Sequence, residues 1–303
     1  MIEQEVVISS ISSDWNYISY IPIFIAMNKK FGTKVDVAFS DVTLIELLSG
    51  FESENIKFTY IDPLMGIDSR VQSKINRILL AQDKKYHGKR IIICDIDMVN
   101  LNDTFLRIIR QYSPEKLIKW GYDHPSYLIS PDLGKWAMDK SSTSNSNMRL
   151  IFNPNDLSPQ ELILEWKSKA IDERSNPFNN SKNFSDESLF KDLYLYIEET
   201  VEDVQISRAQ IGDPNLKRRL DRSYNTDTII ARVCFKIGII FTYIKLQNLY
   251  KYFFMKPLEY HGFRPFENGG ILAKLILRQY QVSLKEYNFF KREYKRLLKC
   301  QLL

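Results

Sequence analysis

Arg90-Ile91-Ile92-Ile93-Cys94-Asp95-Ile96-Asp97-Met98-Val99-Asn100-Leu101-Asn102-Asp103 decides the fold. Its first half is an apolar, largely β-branched run, the pattern of a strand buried on both faces inside a parallel sheet. The run stops at Asp95 and Asp97. If strand geometry continues, alternation points both carboxylates the same way. They fall where the strand leaves the sheet, and open α/β sheets bind ligands at the carboxyl ends of their strands. Two adjacent carboxylates repel unless a cation lies between them. Mg²⁺ or Mn²⁺ accepts such oxygens and keeps open positions for substrate phosphates. The structural alternative is that both aspartates serve turns or helix caps, where Asp is favoured.

The flanking chain supports a sheet of this kind. Strands are expected at Glu5 to Ser10, Lys34 to Ser40 and Ile56 to Ile61, with a helix from Tyr20 to Lys30. Asp41-Val42-Thr43 caps a short helix through Leu48. A long helix from Asp68 to Tyr86 carries apolar positions Val71, Ile75, Ile78 and Leu79. This alternation of strand and helix defines an α/β class with a mostly parallel sheet. Beyond Asp103 the spacing predicts a helix from Thr104 to Tyr112 and a short strand from Leu117 to Tyr122. Further helices are expected at Leu157 to Ala170, Asp186 to Thr200 and Thr228 to Tyr252, and one or two more from Gly270 to Leu303.

Composition excludes several classes. The chain has 303 residues, 44% apolar and 26% charged, with 11 Gly and 11 Pro. That is ample for a globular core. Cys94, Cys234 and Cys300 lie too far apart for a zinc or disulfide framework, as in a reducing compartment. Met1-Ile2-Glu3-Gln4-Glu5 lacks the basic start of a secretory signal. The most apolar run, Val233 to Ile244, is too short to span a bilayer and is broken by Lys236. A cytoplasmic protein is expected. The net charge is +5. Residues 281–303 carry Lys285, Lys291, Arg292, Lys295, Arg296 and Lys299 against Glu286 and Glu293, so most of the excess is local. A nucleic-acid-binding protein would show a broader basic face.

Four further constellations surround the aspartates. Lys74 and Arg77 share a helix face just before the aspartate strand, as a solvated basic patch or a diphosphate clamp. Ser185-Asp186-Glu187 opens a helix, where acidic residues favour the dipole and can also serve as a general base. Arg219-Leu220-Asp221-Arg222-Ser223 alternates charge, suggesting internal ion pairs. Tyr260-His261-Gly262-Phe263-Arg264-Pro265-Phe266 puts one of three histidines in a Gly- and Pro-marked loop, as a metal ligand or a backbone-bonded histidine.

Taken in order, these segments resemble GT-A glycosyltransferases of the glycogenin and galactosyltransferase family. Ile91 to Asp97 resembles their D-x-D segment, Lys74 to Leu79 their preceding K-x-x-R helix, Asp186-Glu187 their later D-E pair, and His261 to Phe266 their late histidine loop. The similarity is densest over residues 5 to 110. The late loop departs from the family's H-x-x-G-x-x-K form, and residues 228–256 have no counterpart. The resemblance implies a GT-A, Rossmann-like catalytic domain over residues 1–226 and a helical C-terminal region over 227–303 containing the loop at 259–266. It also implies a nucleotide-sugar donor, UDP-linked by expectation, and a glycan, lipid-linked or protein acceptor.

By the same resemblance Asp95, Asp97 and His261 would hold Mn²⁺ or Mg²⁺. Ser9, Ser10, Trp15, Lys74, Arg77, Asp95, Ile96 and Arg264 would contact the donor, and Asp186 or Glu187 the acceptor hydroxyl. Two other readings compete. A haloacid-dehalogenase-like phosphatase would use Asp95 as nucleophile and Asp97 as general acid, but wants Gly-Thr where this chain has Met98-Val99, and places its motif near the N-terminus. A non-catalytic glycan-binding protein on the same fold would keep the shape without turnover. Finally, Tyr287, Phe289, Phe290, Tyr294, Leu297 and Leu298 interleave with the basic residues of 282–303. That pattern fits an interfacial membrane helix or a terminal helix docked on the core.

Overall fold

The computed structural model describes residues 5–65, 67, 69–81, 83–86, 90–111, 117–120, 135–139, 161, 164, 203–206, 219–222 and 229–300. The chain forms two compact units. The first comprises residues 1–13, 32–95 and 108–214, the second 14–31, 96–107 and 215–303. This differs from the expected division at 226/227. Two short early segments belong with the C-terminal unit because residues far away in sequence pack and pair with them.

The first unit is built on strands β1 (Val6–Ser10), β2 (Lys34–Phe39), β3 (Ile56–Tyr60) and β4 (Arg90–Cys94). They pair in parallel in the order β3-β2-β1-β4. Ile8, Val37, Ile91 and Ile93 are almost fully buried, as a central parallel sheet requires. Helix α3 (Ile45–Ser49) packs against β3, and helix α4 (Ser69–Ala81) lies across β1, β2 and β4, burying Val71, Ile75, Ile78 and Leu79. The α/β expectation of a mostly parallel sheet flanked by helices holds. The sheet continues through β7 (Lys135–Asp139), antiparallel to β4, then β6 (Leu117–Trp120) and β8 (Asp203–Ile206). β7 and β8 were not expected: Lys135-Trp136-Ala137-Met138-Asp139 lacks the β-branched run that marks a strand. The predicted helix at Asp186 to Thr200, with the pair Asp186-Glu187, lies outside the described residues, and of the one at Leu157 to Ala170 only Glu161 and Leu164 are described, both helical.

The second unit holds helices α1 (Trp15–Ile18), α2 (Ile21–Phe31) and most of α5 (Thr104–Ile109). Its three-stranded sheet, in the order β5-β10-β9, comprises β5 (Met98–Asn100), β9 (Arg219–Asp221) and β10 (Glu259–His261). The helical stretch expected at 228–252 is broken into α6 (Ile229–Lys236) and α7 (Ile240–Phe254) at Gly238, whose φ of +76° suits only glycine at low cost. Helices α8 (Ile271–Gln279) and α9 (Leu284–Cys300) finish the chain. A capping box starts α9. The Ser283 N–H donates to Glu286 Oε2 at 2.8 Å, and the Glu286 N–H donates to Ser283 Oγ at 3.1 Å.

Tyr20, Tyr260 and Phe266 form the aromatic core of this unit, with Tyr20 and Phe266 edge to face at 5.2 Å. Tyr287, Phe290 and Tyr294 bury one stripe of α9 around Trp15, whose ring lies 4.9 Å from that of Tyr294. The docked reading of 282–303 therefore describes α9. Most of the aromatic stripe that an interfacial helix would insert is already packed. Among the described residues, no helix is long and apolar enough to cross a membrane.

One inference from strand geometry is corrected. β4 ends at Cys94, and β5 begins at Met98 in a different sheet. Asp95, Ile96 and Asp97 occupy the turn between them, so alternation along a strand does not align the two carboxylates.

Candidate functional site

In the first unit the carboxyl ends of the strands gather polar groups under α4. Gln72 Nε2 donates to Ser40 Oγ, just past β2, and to the Asp62 carbonyl, past β3, both at 2.8 Å. One turn on, Asn76 Nδ2 also donates to Ser40 Oγ at 2.8 Å. Asn76 is fully buried, and its Oδ1 has no hydrogen-bond partner among the described residues. Ser9 is equally buried and donates through Oγ to the Cys94 carbonyl at 2.8 Å, tying β1 to β4. Ser10 is half-buried, as is Lys74. Arg77 is buried, and its guanidinium donates to Asp95 Oδ1. Asp95 is thus held by an arginine eighteen positions earlier, with its side chain 36% exposed. Lys74 and Arg77, three positions apart, meet different surroundings.

In the second unit strand register builds a tighter cluster. His261 faces Met98 across the antiparallel β5–β10 pair and Asp221 across the parallel β9–β10 pair. One step beyond the sheet, Gly262, Asp97 and Arg222 must meet. The Gly262 N–H donates to the Asp97 carbonyl at 3.2 Å, and Arg222 Nη1 donates to the Gly262 carbonyl at 3.1 Å. Asp97 is fully buried. Its Oδ2 accepts from Arg222 Nη1 at 2.5 Å and from Arg264 Nε at 2.7 Å, with His261 Nε2 3.7 Å away. Arg264 also donates through Nη1 to the Tyr17 hydroxyl at 2.7 Å, and its guanidinium stands 4.3 Å from the centre of that ring. Burial pushes the Asp97 carboxyl up, but the opposing charges of His261, Arg264 and Arg222 outweigh it and hold the group below the usual carboxylate range.

The positions of Gly262 and Trp15 follow from close packing. A Cβ at Gly262 would lie 1.8 Å from Tyr20 Oη, so only glycine fits. The same Tyr20 hydroxyl donates to the Phe263 carbonyl at 2.5 Å and anchors the loop. Trp15 Nε1 donates to Glu267 Oε1 at 2.9 Å, and Glu267 also accepts from Lys291 and Tyr287. The Trp15 indole is therefore committed to the aromatic core. Ile96 is buried as well.

Sequence reasoning passed over Arg222, Tyr17 and Gly262 as site residues. Arg222 was read as part of a self-paired segment, and its partner is instead Asp97, 125 positions away. The usable signal was charge balance: a carboxylate expected to be buried needs cations from somewhere.

Among the described residues, no group of three or more His, Cys, Asp or Glu is arranged to hold a metal. Even so, one observation fits a divalent ion. Asp97 Oδ1 is buried without a hydrogen-bond partner among the described residues, and a histidine nitrogen lies close to the same carboxylate. Mg²⁺-like ions commonly take only one or two protein carboxylates, with substrate phosphates completing the shell. Two arginines around one aspartate also leave an excess of positive charge, suited to a phosphate-bearing ligand.

The fold and cluster define an α/β protein with a buried carboxylate clasped by two arginines at the start of β5. No family model matches the chain, and no curated protein matches it. Several glycosyltransferases are among the solved structures to which the chain shows a likeness. Apo GlyE of Streptococcus pneumoniae TIGR4 is 12% identical over 97% of this chain and 63% of its own, with a TM-score of 0.49. The galactosyltransferase LgtC, in complex with donor and acceptor sugar analogs, is 9% identical over 93% and 96%, with a TM-score of 0.47. The apo bifunctional enzyme WbbM is 11% identical over 96% and 52%, with a TM-score of 0.42. The chain spans under two thirds of the length of GlyE. At these identities the likeness assigns no residue role and no substrate.

Proposed function

We propose that the chain is a glycosyltransferase that moves a sugar from a nucleotide-sugar donor, UDP-linked in this reading, to a hydroxyl of a glycan, lipid-linked or protein acceptor. The observation that carries the proposal is the buried Asp97 carboxylate, clasped by Arg222 and Arg264 through Oδ2, with Oδ1 left over. A group that leaves as a nucleoside diphosphate builds negative charge as the glycosidic C–O bond breaks. Fixed cations placed where that charge develops are the most effective catalytic device for such a step. Asp97 holds Arg222 and Arg264 in position, so their reorganisation cost is met on folding.

Asp97 and His261, with Asp95 two residues upstream in sequence, would hold Mn²⁺ or Mg²⁺. When bound, the ion supplies Lewis-acid stabilisation of the leaving diphosphate. Arg77, Lys74 and Ser10 belong to the donor side of this reading, and Ser9, Trp15 and Ile96, whose side chains are hydrogen-bonded or buried, contribute backbone or framework. Asp186 or Glu187 would take the proton from the acceptor hydroxyl as its oxygen bonds to the sugar carbon. A cytoplasmic setting is part of the same reading. The phosphatase alternative requires Asp95 as a free nucleophile early in the chain, whereas this carboxylate follows the fourth strand and is paired with Arg77.

The test is a panel of nucleotide sugars scored by thermal shift with and without Mn²⁺, since a true donor stabilises the fold by mass action. A Mn²⁺-dependent shift with one donor, together with its slow hydrolysis, is expected. Turnover of p-nitrophenyl phosphate without any donor effect would instead assign the phosphatase.

A further inference from the structure

We propose that helices α6 and α7 form an in-plane docking element for an anionic membrane. The pair is apolar on both sides. Toward its own unit it buries Ala231, Cys234, Ile240, Ile244 and the polar Asn248. Toward solvent it presents Ile229 at 78%, Phe241 at 64%, Phe253 at 61% and Phe254 at 73% exposure, with Ile237 and Leu246 between them. A helix on a water-facing surface carries its polar residues outward, and a contiguous exposed apolar face marks an interaction surface.

Charge identifies what covers it. Residues 228–258 contain Arg232, Lys236, Lys245, Lys251 and Lys256 and no aspartate or glutamate. A second copy of the chain would bring this all-cationic face against itself, because a two-fold contact pairs like surfaces. An anionic lipid surface matches both features, taking the aromatic and aliphatic side chains into the headgroup boundary and the lysines at the phosphates. Length sets the mode. The 15 residues of α7 span about 22 Å, short of the roughly 30 Å hydrocarbon core, and Gly238 breaks the run. The pair therefore lies in the interface plane and does not cross. α9, although more basic in composition, has Tyr287, Phe290 and Tyr294 packed around Trp15.

Flotation of the full chain with vesicles of phosphatidylcholine, alone or mixed with phosphatidylglycerol, tests this. The chain is expected to float with the mixed vesicles, less so at high salt. A Phe241→Gln, Phe253→Gln, Phe254→Gln variant keeps helix propensity and should partition about tenfold less or weaker still. Lys236→Gln with Lys256→Gln should lose about 25-fold, taking about fivefold per lysine, and only on the anionic vesicles. Equal flotation of the phenylalanine variant and the wild type would overturn the proposal. So would absence of binding by the full chain, or a dimer by light scattering that this variant converts to monomer. Should the phenylalanine variant misfold by circular dichroism, the lysine pair decides: undiminished anionic binding there overturns the electrostatic docking.

Discussion

Asp95 and Asp97 stand two positions apart and differ in almost every physical respect. Asp95 closes the first unit, is 36% exposed and is held by Arg77. Asp97 opens into the second unit, is fully buried and is held by two arginines, with a histidine nearby. Arg77 comes from a helix that precedes Asp95 closely in sequence, whereas Arg222 and Arg264 reach Asp97 from more than a hundred positions away. A D-x-D spelled as one motif is thus two carboxylates with separate electrostatic settings, and they should respond differently to the same substitution. Donor turnover gives the largest expected contrast. Asp97→Asn is expected to lower it by about 10²–10³-fold, the range for removing one preorganised charge contact at a reacting centre, and Asp95→Asn by less. Hydrolysis of the nucleotide sugar with Mn²⁺ measures both, and equal losses would show that the two act as one ligand pair.

Stability should separate them too. Removing one partner from a buried ion pair costs about 3–5 kcal/mol, reduced here because Arg222 and Arg264 remain 26% and 29% exposed. About 3 kcal/mol is expected for Asp97→Asn by urea unfolding, against about 2 kcal/mol for Asp95→Asn, whose own carboxylate is 36% exposed but whose partner Arg77 is buried. The Asp97 carboxyl is held below its ordinary value, so its stabilising charge is present above the unfolded pKa and is lost as pH falls through the folded one. The gap between wild type and Asp97→Asn should therefore narrow below about pH 4.

The Gly262 backbone, which joins Asp97 to Arg222, is the next place to press. Gly262→Ala would drive a methyl group into Tyr20 Oη and the Tyr260 ring, 2.7 Å away. Overpacking of this kind costs about 1–3 kcal/mol. The loop carries Arg264, so Asp97-dependent turnover should fall with it, and the Arg77–Asp95 pair should be untouched. Donor titration in the Ala variant checks this: weakened binding with an unchanged effect of Asp95→Asn is expected.

The contrast also explains what could be read from the chain alone. The β4 strand and the parallel character of its sheet are written in local runs such as Ile91-Ile92-Ile93, because burial on both faces demands apolar residues; the β3-β2-β1-β4 order is not. Arg77 was visible for a similar reason: it lies close in sequence and on a recognisable helix. Arg222 was not, since register between β9 and β10 puts it beside Asp97, and no local pattern encodes that register. β7 was missed because its residues lack strand propensity and owe their conformation to pairing with β4. The turn at Asp95–Asp97 was legible only as one of two alternatives, because the switch from one sheet to another leaves no signature in D-I-D itself. The basic and aromatic residues of 282–303 were legible as a helix, but which face docks depends on Trp15, about 275 positions earlier.

The smallest expected effects come from acidic anchors remote from the aspartates, one in each unit. Glu5 accepts from Arg110 at 2.6 and 2.8 Å with its own side chain only 3% exposed. Glu267 accepts from Trp15, Tyr287 and Lys291 and is 29% exposed. Burial raises both carboxyls, and their cationic and hydrogen-bonding partners more than reverse it, leaving each below its ordinary 4.5. The sign is the same for the two: stability present above about pH 4.5 is lost as pH falls through the lowered values. Glu267→Gln should cost about 1 kcal/mol at neutral pH after allowing for solvent screening. Glu5→Gln should cost somewhat more, because Arg110 is left facing a neutral amide. Both deficits should shrink in acid, whereas a purely steric defect would persist unchanged from pH 7 to pH 3. Urea unfolding of the two variants across that range tells these apart. A pH-independent deficit in Glu267→Gln alone would mean that Trp15 and Lys291 hold that anchor by packing rather than by charge.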